Sequence, residues 1–238
     1  MKWTLCIILL SLWGRTAFAQ TVIPDPLLIR KCQDFTVNGK GDNPEWNKTS
    51  WNTLQKLDEG GEPYESRFKV LYSSTGIYVL FNGKDNKITS TYETDFEDLF
   101  KGDVFETFLQ PDSQQNLYLE YEVNALNKEL VLFIPNMNGS ISGWTPWHYE
   151  GRKKVIKQVS ITGGTAASGA AIQSWSAEVF FPFFLFNPLS PHAPTSGTVW
   201  KGNFFRMDYD SGKMIKWSWS PVERSFHEMQ KFRPIRFE

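Results

Sequence analysis

The residues of this chain best suited to chemistry occupy alternate positions in the segment from Asn116 to Asn127. Because side chains alternate across an extended strand, Tyr118, Glu120, Glu122 and Asn124 fall on one face. Carboxylates accept hydrogen bonds strongly, and amides both donate and accept them. We expect this face to be exposed to solvent, where it would suit a ligand rich in hydroxyl groups.

The opposite face of the same segment is apolar. It carries Leu117, Leu119, Tyr121, Val123 and Ala125, which we predict to lie in a hydrophobic core. The period of two recurs along the chain, and the helical period hardly appears. The chain is therefore predicted to be all-β: an antiparallel β-sandwich, jelly-roll or immunoglobulin-like in outline, with at most one short helix.

The pattern also predicts how the chain is divided. Turn-forming residues separate ten predicted strands: 67–72, 76–82, 103–110, 117–125, 129–134, 154–161, 175–181, 202–209, 215–219 and 232–237. The small-residue stretch 160–174 is predicted to be a mobile hairpin loop, and the apolar stretch 180–186 to hold the short helix. We predict one domain at residues 35–238, preceded by an N-terminal extension at residues 20–34.

The first 19 residues have the features of a secretory signal peptide. Lys2 precedes an apolar run from Trp3 to Trp13, and the small-residue frame Ala17-Phe18-Ala19 follows it. The run is roughly half the ~20 residues that a membrane-spanning helix needs. We therefore predict that the mature chain is exported to the periplasm, the cell surface or the medium, and that it has no transmembrane segment.

Charge and cysteine content exclude some classes of protein. Lys2 and Arg15 leave with the signal peptide, so 23 basic residues face 26 acidic ones in the mature chain. This balance argues against nucleic acid as a partner, since nucleic acid requires a basic surface. Cys32 is the single cysteine of the mature chain, so no intramolecular disulfide is expected and Cys32 is predicted to be a small packed residue.

Three segments in this order carry a resemblance to a known family: 116–127, the run WSAEVFFP at 175–182, and the tail at 217–234. Together they resemble the carbohydrate-binding family 9-like modules of exported bacterial proteins, which are DOMON-like β-sandwiches. The similarity spans roughly residues 35–237. It implies a protein that binds sugars, in some members the reducing ends of β-linked glycans, and that supports polysaccharide catabolism.

The resemblance also implies a sugar-binding site. The family's glutamate falls on Glu106, in the segment that begins at Asp103, and its two aromatic clamp rings fall near Phe100 and on Phe226. An aromatic ring covers the apolar face of a pyranose, while carboxylates and amides bind its hydroxyl groups. Asp103 is included in the predicted site with these three residues.

The chain departs from the family pattern at several of these positions. Glu122 stands where the family has an arginine, the asparagine position falls near Glu223, and both clamp rings are phenylalanine. Without the arginine, Glu106 and Glu122 would be two carboxylates at close quarters, which raises one pKa or attracts a cation. The resemblance therefore implies the scaffold more strongly than the particular ligand.

A loop between Gly143 and Gly151 supplies further candidates. It contains Trp144 and Trp147, and a loop of this length does not easily bury two indoles. Exposed loop aromatics often bind ligands, so both are included in the predicted sugar site, with anchoring of the loop as the alternative.

Other functions remain open at this stage. Metalloprotease, phosphate-loop, Cys-x-x-Cys and Gly-x-Ser-x-Gly motifs are absent, so we favour a non-catalytic module that requires no cofactor. A glycoside hydrolase that uses two of Glu106, Glu120 and Glu122 is the enzymatic alternative.

Two further alternatives involve bound groups. A haem-binding electron-transfer module of the same sandwich type would use a histidine or one of four methionines as axial ligands: Met137, Met207, Met214 and Met229. A structural calcium ion held by Asp95, Glu97 and Asp98 is also left open. The sequence does not define the oligomeric state.

Overall fold

The computed structural model describes residues 25–137 and 139–238, so the predicted signal peptide at 1–19 lies outside the described residues. Strands dominate these residues: β1 Leu27–Lys31, β2 Asn52–Thr53, β3 Gln55–Lys56, β4 Ser66–Tyr72, β5 Gly76–Lys84, β6 Val104–Gln110, β7 Leu117–Asn124, β8 Glu129–Met137, β9 Ser140–Ile141, β10 Thr145–Pro146, β11 Ile156–Thr162, β12 Ser174–Pro182, β13 Val199–Asp208, β14 Ile215–Ser218 and β15 Arg233–Phe237.

The helices of the described residues are all short. They are five 3-10 helices: Pro44–Lys48, Leu99–Lys101, Gly151–Lys153, Phe183–Phe186 and Met229–Lys231. The predicted helix near residues 180–186 is the 3-10 helix Phe183–Phe186, and the other four were not predicted. None of the described helices is long and apolar enough to cross a membrane.

The strands form two layers. The first layer has the order β10-β8-β7-β6-β13-β15, with β9 beside β8, β14 beside β13 and β3 beside β14. The second has the order β4-β5-β12-β11, with β2 beside β4. These neighbours are antiparallel, as in the pairs β6–β7 and β4–β5. The predicted all-β sandwich is therefore confirmed.

Strand β1 joins the two layers and is an exception to the antiparallel pattern. Residues 27–29 pair in parallel with β15, and Arg30 and Lys31 pair in parallel with β4. The sequence analysis assigned these residues to an N-terminal extension and did not predict a strand there, because five residues are too few for a clear period of two. In the structure they are hydrogen-bonded parts of the sandwich.

Aromatic rings from both layers meet in the core. Phe105 of β6 stacks on Phe81 of β5 with ring centroids 4.7 Å apart, and Phe204 of β13 stacks on Phe68 of β4 at 4.1 Å. The predicted core face of β7 lies in this interior: Leu119, Tyr121, Val123 and Ala125 are buried, and Leu117 packs against them. Edge-to-face and offset-stacked ring pairs at these distances stabilise a core beyond the apolar area that they bury.

All ten predicted strands are present, and no end differs by more than three residues. The hairpin loop predicted at 160–174 is shorter in the structure, because residues 160–162 belong to β11 and Ser174 begins β12; its tip is hydrogen-bonded to Ile88 through Gly169 and Ala170. Cys32 is buried as a free thiol, and burial raises its pKa to about 12, as suits a packing residue. The sequence analysis did not predict β1 or the four strands of two residues each, β2, β3, β9 and β10.

Glu178 of β12 attaches the segment before β2 to the second layer. Its buried carboxylate accepts hydrogen bonds from the backbone N–H groups of Asn38 and Gly39, at 2.6 and 2.7 Å, and from the indole of Trp46 at 2.7 Å. A carboxylate with three good donors is a favourable buried group, whereas an incomplete set would be costly.

We expect Glu178→Gln to lower the free energy of unfolding by about 2 kcal/mol. The amide replaces one accepting oxygen by a donor, so at least one of the three buried donors loses its partner. Urea denaturation of the wild type and the variant measures the difference. Glu150→Gln changes an exposed residue and is the control. A loss below about 0.5 kcal/mol for Glu178→Gln would contradict the assigned role.

Candidate functional site

A pocket lies on the outer face of the first layer, on the side of β6, β7 and β8 that faces away from the sandwich core. Its volume is about 470 Å³. Residues from many parts of the chain line it, including Glu106 and Glu120 of the strands, Phe100, Ile141 of β9, the loop residue Trp144, Met207 and Met214, and the segment from Arg224 to His227. These parts are distant in sequence, so the pocket is a product of the fold.

Loops cover most of the outer face, and this overturns one prediction. The face that bears Tyr118, Glu120, Glu122 and Asn124 was expected to be exposed, but all four residues are buried. A second hydrophobic cluster lies over it, built from Leu99 before β6, Phe226 and Phe232 after β14, and the outward residues of the strands. Alternation of apolar and acidic residues indicates which face is the core, but it does not show whether a loop covers the other face.

Three glutamates form the deepest polar part of the site. Glu106 and Glu122 are directly opposite each other in the β6–β7 register, and Glu120 is two residues from Glu122 on the same face. Glu106 Oε1, Glu120 Oε2 and both carboxyl oxygens of Glu122 lack a well-aligned donor among the described residues, although Glu120 and Glu122 lie close enough to share a proton. Like charges opposite each other destabilise a sheet, so this arrangement carries a cost.

Burial and mutual repulsion shift the protonation of these groups. Burial, followed by the charge of Glu120, raises the pKa of Glu106 well above its ordinary value. Burial, followed by the charges of Glu106 and Glu120, raises the pKa of Glu122 in the same direction. Burial also raises the pKa of Glu120 to about 8. The site therefore holds protons at neutral pH, and these protons respond to any charge that enters.

His227 is a site residue that the sequence analysis did not select. Its Nδ1 lies 2.7 Å from the hydroxyl of Tyr118 and 3.7 Å from Glu120 Oε2. Burial lowers the pKa of His227 to about 4, so its ring is neutral at pH 7. A lone histidine in a loop gives no sequence signal, and only the cross-strand packing places it beside the glutamates.

The segment that carries His227 is held in place by a carboxylate. Glu228 is buried and accepts hydrogen bonds from the backbone N–H groups of Glu223, Arg224 and Ser225. In addition, Asn136 of β8 donates a hydrogen bond to the His227 carbonyl at 2.7 Å. These bonds position the wall of the pocket formed by residues 224–227.

The aromatic residues of the predicted site have different surroundings. Phe100 is 37% exposed and Trp144 is 64% exposed, and both line the pocket. Phe226 also lines it, but it is 4% exposed and stacks on Phe205 with centroids 4.0 Å apart, so it packs as a core residue and does not form an open clamp. Trp147 lies outside the pocket lining, packed against Phe133 with the two rings tilted, and it is covered by Lys153.

Two predicted acids lie away from the pocket lining. Asp103 is buried and accepts hydrogen bonds from the backbone N–H groups of Thr89 and Tyr209, so it fixes backbone and does not face a ligand. Glu223 is exposed and forms an ion pair with Lys231 at 2.9 Å. The structure thus brings together Phe100, Glu106, Trp144 and Phe226, with Glu122 beside Glu106.

The acids named as calcium candidates are engaged elsewhere. Asp95 accepts a hydrogen bond from the Glu129 N–H, Glu97 from the Thr94 N–H, and Asp98 pairs with Lys101. Among the described residues, the acids whose oxygens converge within 4.8 Å are a different group: Asp85, Asp103, Asp208 and Asp210. The contacts of Asp95, Glu97 and Asp98 give no specific support for a calcium ion there, and calcium binding stays a prediction.

The second acidic group surrounds a buried arginine. Arg206 is fully buried, and its Nη2 lies 3.0 Å from Asp85 Oδ2 and 2.7 Å from Asp208 Oδ2. Its Nη1 donates to Ser66 Oγ and to the Lys84 carbonyl, at 3.0 and 2.7 Å. Burial, together with the neighbouring acids, raises the pKa of Asp85 to about 7 and that of Asp103 to about 8. This group lies between the layers and stabilises the fold.

The fold is a sandwich with a pocket on one outer face, and comparisons with known proteins agree with this fold. Residues 37–134 match the family model described as carbohydrate family 9 binding domain-like, so the resemblance predicted from the sequence is confirmed. No curated protein matches the chain.

Solved structures share the fold at low sequence identity. A candidate carbohydrate-binding protein from Bacteroides uniformis has a TM-score of 0.70 at 17% identity, over 90% of this chain and 99% of that chain. A carbohydrate-binding module of family 9 from Caldicellulosiruptor kristjanssonii in complex with cellotriose has a TM-score of 0.65 at 14% identity, over 90% and 94% of the two chains. The same kind of module in complex with glucose has a TM-score of 0.62 at 15% identity, over 89% and 95%.

Proposed function

We propose that this protein is an exported, non-catalytic carbohydrate-binding module that holds a glycan in the pocket on the outer face of β6, β7 and β8. The observation that carries the proposal is the pocket itself. Exposed rings of Phe100 and Trp144 stand at its opening, and the carboxyl groups of Glu106 and Glu120 lie at its base. The family match and the signal-like N-terminus support the module and its export.

The two parts of the pocket suit the two parts of a sugar. The C–H face of a pyranose is apolar and packs on an indole or phenyl ring, as on Trp144 or Phe100. The hydroxyl groups need hydrogen-bond partners, and the carboxyl oxygens that lack partners at the base can provide them. The modules of similar fold are in complex with cellotriose and glucose, so β-linked glucans are the first ligands to test.

We expect Trp144→Ala to weaken glycan binding by about tenfold, because loss of one stacked ring removes roughly 1–2 kcal/mol. A glycan array of the mature chain identifies a ligand, and calorimetry with that ligand measures the dissociation constants of wild type and variant. Trp51→Ala is the matched control, since Trp51 is a half-exposed indole stacked by Arg67 away from the pocket. Unchanged binding by Trp144→Ala, or no glycan bound at all, would contradict the proposal.

A specific observation favours one alternative function. Buried carboxyl groups with raised pKa values in a pocket are typical of catalytic acids, and a glycosidase needs a pair of them. Release of reducing sugar from the bound glycan, abolished by Glu106→Gln, would replace the binding module by a glycoside hydrolase. The haem alternative retains Met207, Met214 and His227 beside the pocket, and a Soret band in the purified protein would support it.

A further inference from the structure

The base of the pocket changes character between two neighbouring strands. Glu120 of β7 lies directly opposite Leu132 of β8, so the boundary runs between these strands. On one side of it, the carboxyl groups of Glu106 and Glu120 line the pocket. On the other side, the pocket is lined by the outward residues of β8: Leu130, Leu132 and Ile134. The base of the pocket therefore has a carboxyl half and an aliphatic half.

The aliphatic half continues from β8 to the rim of the pocket. Pro146 of β10 lies directly opposite Leu132, and Ile141 of β9 lines the same pocket. Ile141 is 38% exposed, and the indole of Trp144 beside it is more exposed still. Since neighbouring strands lie about 4.8 Å apart, the surface from β7 across β8 to β10 is about 10 Å wide. It has room for a second ring beside a sugar that occupies the carboxyl half.

A second sugar suits the aliphatic half poorly. The side chains of Leu130, Leu132, Ile134, Ile141 and Pro146 contain no hydrogen-bond donor or acceptor. Hydroxyl groups laid on this surface would lose water without gaining partners, which costs free energy. Branched aliphatic side chains also lack the π face on which the C–H face of a pyranose packs.

We propose that the pocket selects glycosides with an aromatic aglycone. The sugar lies beside Glu106 and Glu120, and the aromatic ring lies on the aliphatic half, near the exposed indole of Trp144. An aromatic ring buries a large apolar area, packs edge to face or offset on an indole, and has little conformational freedom to lose on binding. The inference rests on the proposed function, because the sugar occupies the carboxyl half in both.

Other apolar ligands match only part of the pocket. An alkyl chain has the polarity of the aliphatic half, but several of its rotatable bonds lose freedom on binding. A wholly apolar molecule would cover Glu106 and Glu120 without offering their unpartnered oxygens a donor. A sugar joined to a flat apolar ring satisfies both halves.

Calorimetry of the mature chain with five probes tests the inference: phenyl, methyl and octyl β-D-glucoside, cellobiose, and phenol. Glucose is the sugar because a solved module of similar fold is in complex with glucose. We expect phenyl β-D-glucoside to bind at least about tenfold more tightly than each of the other four, since only it fills both halves with a rigid ligand. Its heat capacity of binding should be more negative than that of methyl β-D-glucoside, as burial of apolar surface requires.

A variant at the rim tests the position of the aromatic ring. Ile141→Thr removes apolar surface from the aliphatic half at an exposed site, where the risk to folding is small. It should reduce the preference for phenyl over methyl β-D-glucoside by about threefold. Ile156→Thr makes the same change at an exposed position of β11 in the second layer, and it should leave the preference unchanged. An equal effect of the two variants would contradict the assigned position.

The probes also separate this inference from the proposed function. If phenyl β-D-glucoside binds no better than methyl β-D-glucoside or cellobiose, the inference is overturned, and the glycan array alone decides the proposed function. Tighter binding of octyl β-D-glucoside, below the concentration at which it forms micelles, assigns the surface to an alkyl chain and overturns the aromatic assignment. If phenol binds as tightly as phenyl β-D-glucoside, the pocket does not recognise the sugar, and the inference and the proposed site fail together.

Discussion

Replacement of Arg206 by methionine is expected to lower the free energy of unfolding at pH 7 by about 3–5 kcal/mol. Arg206 is fully buried between the layers and forms ion pairs with Asp85 and Asp208, while Ser66 and the Lys84 carbonyl accept its other hydrogen bonds. Methionine fills similar space but provides no donor, so two buried carboxylates lose their counter-charge. Guanidinium denaturation of wild type and variant measures the difference.

Two comparisons make this result specific to the buried charge. Arg236→Met changes an exposed arginine of β15 and should shift the free energy of unfolding by less than about 0.5 kcal/mol. Adding Asp85→Asn and Asp208→Asn to Arg206→Met should recover part of the lost stability, because the stranded negative charges are removed. If Arg206→Met alone costs less than about 1 kcal/mol, the arginine is not the group that holds these acids.

The second large effect is a loss of stability as pH rises. The folded-state pKa of Glu120 is raised to about 8, and those of Glu106 and Glu122 are raised as well. Above the unfolded-state value of about 4.5, the folded protein binds more protons than the unfolded chain. The contribution of Glu120 is therefore full below about pH 4.5 and is lost as the pH rises to about 8, and Glu106 and Glu122 act in the same direction. Asp85 and Asp103 act in the same direction.

Between about pH 5 and about pH 8.5 we expect the free energy of unfolding to fall by on the order of 4 kcal/mol. Denaturation curves at several pH values give the slope. Glu122→Gln should flatten the slope, since the amide cannot ionise and no longer repels Glu106 and Glu120. Glu150→Gln, at an exposed position, should leave the slope unchanged. If the protein is more stable at pH 8.5 than at pH 5, then Glu106, Glu120 and Glu122 ionise without lowering the free energy of unfolding, and the prediction is wrong.

The sequence was sufficient for the layered fold because the chain repeats one strong local signal. Alternation places Leu119, Tyr121 and Val123 on the core face of β7, and the structure has them there. Strand β1 was missed because both of its partners are distant in sequence: β15 lies about 200 positions further along the chain and β4 about 40. No local pattern in five residues can report a partner at that separation.

The site was only partly predictable. Phe100, Glu106, Trp144 and Phe226 do line one pocket, and the family resemblance supplied three of them. Burial of the acidic face was not predictable from β7, since it depends on Leu99, Phe226 and Phe232, which lie outside the long strands in connecting segments. His227 entered the site through the same packing. Loops rich in aromatic residues beside an acidic strand were the available signal, and their apolar character indicates a cover.

Strand β1 also affects the order in which this molecule can fold. The seam between the two layers is made by the first and the last strands of the described chain, β1 and β15. A ribosome or a translocation channel delivers β1 about 200 residues before its partner. The sandwich therefore closes only after the whole chain has emerged, and such distant pairing makes closure slow. Under the proposed export, this delay would keep the chain unfolded enough to pass a narrow pore until β15 has crossed.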